Sequence, residues 1–79
     1  NDSAETLAKY VENKAPNDIR EQVSHALHNA TNRKPSEVDI QDGLDLIKDL
    51  KNKSKATKEQ AMQRFCLLVL NLNEFLYLD

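Results

Sequence analysis

Few residues in this chain are of the types that carry chemistry, so their spacing decides what they can do. His25 and His28 stand three apart, close enough to share one face of a helix. With Cys66 as a third ligand they would make a minimal zinc set. Both histidines fall opposite the apolar stripe of their segment, however, and Cys66 sits in the most apolar stretch of the chain. The expectation is two solvated imidazoles and a buried, inert thiol, with no metal bound. Glu37, Asp39, Asp42 and Asp45 suggest a calcium loop, but the spacing fails. Counting back from Gly43 as the sixth position puts Val38 where an EF-hand needs Asp. These acids read instead as a helix start, where the dipole favours negative charge.

Lys48, Lys51, Lys53, Lys55 and Lys58 form a basic cluster, with Arg33 and Lys34 in a second break. Phosphates of a nucleic acid would be attracted there. No aromatic residue is interleaved to stack on bases, no segment rich in Arg, Asn and Gln is laid out to read base edges, and Asp45 and Asp49 dilute the charge. A nucleic-acid module using 48–58 is therefore the alternative reading, behind a solvated surface. No Ser or Cys sits in a nucleophile elbow, and a single Gly cannot build a phosphate-cradling loop. The chain is expected not to be an enzyme, and no cofactor or small-molecule substrate is expected.

Ser54, following Asp49-Leu50, resembles the Asp-Leu-Gly-x-Asp-Ser-Leu loop on which acyl carrier proteins, also small acidic four-helix domains, attach phosphopantetheine. The resemblance covers a handful of residues. Lys53 and Lys55 stand where that family has Asp and Leu or Ile, and too little chain follows. It is set aside.

The elements that would position these residues follow from composition. At 79 residues the chain is one domain, 1–79, with one Gly and two Pro, a balance that points to helices. A chain of this size buries only about 60–65% of its unfolded surface, so a partner or second copy would add welcome stability. Its single Cys excludes an internal disulfide and favours a reducing, intracellular compartment; the net charge of −2 is too small to name a partner class. The start at Asn1 rather than Met, with no signal-like segment, reads as a processed form or an excised domain.

Four helices are expected. Asp2 caps the first, whose apolar face is Ala4, Leu7, Ala8 and Val11, with Tyr10 at its edge. It ends before Pro16, which suits the first turn of the second. There Ile19, Val23, Ala26, Leu27 and Ala30 form one stripe. Ser36-Glu37-Val38-Asp39 opens a third helix in the manner of a capping box, with Ile40, Leu44, Ile47 and Leu50 on a face and Leu46 at its edge. Gly43 falls within that stripe, where close approach of another helix, the last one in particular, would justify it. Residues 51–56 are expected to be a polar loop.

Thr57-Lys58-Glu59-Gln60 is a second capping box and leads into the segment around which the others should pack. Ala61, Met62, Phe65, Leu68, Val69, Leu72, Phe75 and Leu76 gather on one face at about 100° per residue. Cys66, Leu70 and Tyr77 form a second strip beside them, and Leu67 and Leu78 lie on the far side. A strand over Phe65–Leu70 is the competing reading, but Leu dominates and only Val69 is β-branched. A membrane span needs about 20 consecutive apolar residues, and Asn71 breaks the run. The expected fold is an all-α, small four-helix bundle, orthogonal or irregular, packed around a long apolar C-terminal helix. Three short helices would struggle to cover that helix all round. Leu67, Leu70, Tyr77 and Leu78 are thus the candidate partner-binding residues of a non-catalytic interaction or regulatory domain, docking another protein or forming a homodimer.

Overall fold

The computed structural model describes the backbone of residues 2–76 and the side chains of residues 3–72. It is an all-α, four-helix bundle: α1 (Asp2–Lys14), α2 (Ile19–Thr31), α3 (Glu37–Ser54) and α4 (Lys58–Leu76). No strand occurs among the described residues, so Phe65–Leu70 is helix. Asp2, expected as the N-cap of α1, is instead its first helical residue, and its side chain lies outside those described.

Local sequence sets the boundaries. The α1–α2 junction differs from expectation. Pro16 lies in a turn before α2, not in its first turn, because Asp18 is the stronger start: its carboxylate accepts from the Glu21 amide at 3.1 Å. Asn17 turns the chain with φ of 62°, a left-handed conformation that Asn tolerates. The α3 capping box forms in full. Ser36 Oγ accepts from the Asp39 amide at 3.1 Å, and Asp39 accepts from the Ser36 amide at 3.3 Å. The α4 box forms too, with Gln60 amide to Thr57 Oγ1 at 3.1 Å and Thr57 amide to Gln60 Oε1 at 2.9 Å. Each such cap stabilises by about 1 kcal/mol. The polar stretch expected to be loop is mostly helix. α3 continues to Ser54 and stops at Lys55, whose φ of 53° is left-handed. Lysines in a last turn suit the helix dipole, so charge alone did not mark a break.

Packing is shared between two helices. α2 and α4 each touch all three others, while α1 and α3 do not meet. α4 is thus central, as expected, and α2 also touches every other helix. The core brings together Ala4, Ala8 and Val11 of α1, Val23, Ala26 and Ala30 of α2, Ile40 and Ile47 of α3, and Ala61, Met62, Phe65, Cys66 and Val69 of α4. Gly43 is where three helices close in. A Cβ there would stand 2.7 Å from Val23 Cγ1 on α2 and 3.1 Å from Phe65 Cζ on α4. The expected close approach of α4 is present, and α2 joins it. Gln22 is a buried polar residue that the stripe analysis passed over; its Nε2 donates to the Ala15 carbonyl at 2.9 Å, satisfying an acceptor just past the end of α1. Arg20 pairs with Glu37 across the starts of α2 and α3.

Candidate interaction surface

The surface of α4 divides in two. On one side Leu67 and Leu70 are partly buried and pack against the core. Leu70 lines an open hollow of about 530 Å³ with Leu7, Thr6 and the exposed Tyr10 of α1. Leu67 lines a smaller one, about 210 Å³, beside Ala4 and Arg64. Tyr77 and Leu78 lie outside the described residues.

On the other side stand two leucines that the apolar stripe had assigned to the core. Leu68 is 45% exposed and Leu72 is 58% exposed. This is a correction with a geometric cause. Cys66, on the neighbouring strip, is fully buried, so the buried sector of α4 is turned toward Cys66 and away from Leu68. Leu72 keeps to the stripe's angle but opens into a groove of about 440 Å³. Leu27 and Thr31 of α2, Leu46 of α3 and Val69 of α4 line its sides, and the buried Phe65 and Gly43 form its floor. Lys34, Asp39 and Asp42, all exposed, line its polar edge. Two protruding leucines one turn apart thus stand beside an apolar groove with a charged edge.

Among the described residues two titratable groups are shifted by their surroundings. Burial pushes the Cys66 thiol up to about 12, and the Glu12 carboxylate adds to the shift; the thiolate that nucleophilic chemistry needs is suppressed. Glu12 is itself raised, first by burial, then by Glu59, against a lowering from Lys58. His25 is partly buried and His28 exposed, on α2, and they do not meet Cys66 in a common site. Among the described residues no three His, Cys, Asp or Glu side chains are grouped to hold a metal ion. No described helix is long and apolar enough to cross a membrane.

The five lysines are exposed but are not one loop. Lys48, Lys51 and Lys53 ride the last turns of α3, Lys55 is its C-cap, and Lys58 begins α4. Sequence reasoning missed Leu68 and Leu72 as surface residues. The signal was the angular offset of Leu68 from Val69 and Cys66, which only the placement of α1 resolves.

Compared with family models, with curated proteins and with solved structures, the chain matches none.

Proposed function

We propose that this chain is a non-catalytic protein-interaction domain and that α4 supplies the docking surface. The observation that carries the reading is the pair Leu68 and Leu72, about half exposed on a helix whose other described large apolar side chains are buried or partly buried, beside an apolar groove. Leaving two leucines about half in water forgoes roughly half of the 1.5–3 kcal/mol that full burial of each would give, and apolar surface grouped in this way marks interaction sites. Leu67 and Leu70, with Tyr10, extend the surface toward α1. Tyr77 and Leu78 stay within the proposal on sequence grounds. The single thiol suits a reducing, intracellular compartment.

The test is a photo-reactive residue placed at position 68 or 72, with position 52 on the last turn of α3 as control. Illumination in cells is expected to give a discrete covalent adduct from 68 and 72, resolved by mass spectrometry to one partner sequence, and none from 52. Failure of both α4 positions to join any protein would remove the basis of the proposal.

A second reading, a module for nucleic acid, is favoured by one observation: Lys48, Lys51, Lys53 and Lys55 are exposed and make no ion pair with a described residue. It requires binding to duplex or single-stranded nucleic acid that falls steeply as salt rises. Absence of binding at low salt rejects it.

A further inference from the structure

We infer that Lys48, Lys51 and Lys55 form a row that holds the phosphate backbone of a nucleic-acid duplex, an inference that rests on the second reading above and names its contacts. The five lysines of this region do not act together. At about 100° per residue, Lys48, Lys51 and Lys55 fall within about 60° of one another at the end of α3, with Lys55 as its C-cap. Asp45, Asp49 and Lys53 follow one another four apart on a separate strip, where the acids outnumber the lysine. Asp45 is also engaged there by Gln41, whose Nε2 donates to it at 3.0 Å. Lys58 opens α4 and acts on α1, where its charge lowers the Glu12 carboxyl against burial and Glu59. What is left is a row of three exposed cations, none of them in an ion pair with a described residue.

The backbone at Lys55 is the second observation. Each junction between helices is turned by one left-handed residue: Asn17 with φ of 62°, Asn32 with φ of 60° and Lys55 with φ of 53°. Asn tolerates that conformation and Gly prefers it, whereas a lysine there is strained. The strained residue is the one that completes the row; a glycine in its place would leave two cations. Lys48 to Lys55 spans about 10 Å along the helix axis at 1.5 Å per residue. A duplex presents its charge along lines of phosphates, which a straight row of cations can neutralise. Between residues 45 and 58 there is no aromatic residue to stack on unpaired bases, so the duplex is favoured over a single strand. Contacts to phosphate alone hold the duplex without reading its sequence.

The test is fluorescence anisotropy of a short labelled DNA duplex of mixed sequence, titrated with the full chain. Three phosphate contacts predict that binding weakens about fortyfold between about 50 and 200 mM salt. Lys51→Gln is expected to weaken binding at low salt and to cut that dependence to about twelvefold. Lys53→Gln removes the same charge from the other strip and is expected to leave both unchanged. Lys55→Gly should weaken binding as Lys51→Gln does while raising the urea midpoint, because glycine relieves the left-handed strain. All three positions are exposed, and circular dichroism checks that each variant keeps its helices. If Lys53→Gln weakens binding as much as Lys51→Gln, or Lys55→Gly binds like the parent, the row falls while the nucleic-acid reading stands. If no duplex binds at about 50 mM salt, both fall. Binding confined to vesicles of mixed neutral and anionic phospholipid also overturns both and gives the lysines to a membrane surface.

Discussion

The first half of α4 is less apolar than the second, yet its apolar side chains are the more completely buried among those described. In the first half, Ala61, Met62, Phe65 and Cys66 are buried to 2% exposure or less. Beyond them Leu68 and Leu72 stand about half in water, although Val69 between them is buried. Hydrophobicity along the helix does not explain this. What differs is the set of neighbours: Phe65 in the first half closes on Gly43 of α3, while Leu72 in the second borders an opening where α2 ends and turns into α3. Burial is a property of the arrangement of helices, and an apolar residue at the edge of that arrangement is available for something else.

The sharpest way to break the comparison is to excavate its buried half. Phe65 is the largest fully covered side chain among the described residues. Phe65→Ala is expected to destabilise by about 3–5 kcal/mol, read from the urea midpoint. In a domain this small that is most of the total stability. Gly43→Ala attacks the same contact from the opposite side. Alanine favours helix by about 1 kcal/mol over glycine, yet its Cβ would overlap Val23 Cγ1 at 2.7 Å. Both neighbours are buried, so overpacking of about 1–3 kcal/mol should win, with net loss of stability. Adding Val23→Ala should make the Gly43→Ala step less costly in a double-mutant cycle. If Gly43→Ala stabilises instead, the three-helix contact is looser than its geometry indicates.

These contacts also show how far the sequence could be read. Helix number, both capping boxes and the role of Gly43 were legible, because caps and close approach depend on short, local patterns. The fault at Pro16 came from ranking a permissive signal above a stronger one, the Asp18 cap. The lysine stretch looked like a loop because a favourable helix end and a polar linker have the same composition. The division of α4 was not legible at all. Leu68 and Leu72 on the one hand, and Leu67 and Leu70 on the other, are equivalent in type. Which pair sits deeper depends on where α1 and the α2–α3 turn come to rest, a non-local outcome that periodicity in one segment does not contain.

A smaller effect is expected at the open half. Leu72→Gln, measured at a concentration where the chain is monomeric, should change stability by no more than about 0.5 kcal/mol. The contrast with Phe65, a turn or two away on the same helix, is the comparison in its simplest form. A loss near that of a core truncation would show that the groove closes over Leu72 in solution, and the docking surface would have to be sought on the Leu67 and Leu70 side.

The smallest effect is electrostatic and belongs to the covered half. Glu12 is raised by burial and by Glu59, so folding disfavours its charged form. A carboxylate whose folded pKa lies above its unfolded value contributes stability below the unfolded value and loses it as pH rises through the folded one. At neutral pH the ionised Glu12 is therefore a small net cost, partly offset by Lys58. Glu12→Gln should raise the midpoint of thermal unfolding slightly at pH 7, and the gain should shrink as acid protonates Glu12 in the parent. A gain that persists unchanged at low pH would mean that amide packing, not charge, is responsible. A loss at pH 7 would mean that Lys58 holds Glu12 more strongly than burial and Glu59 oppose it, and the α1–α4 seam would then be tied by that pair.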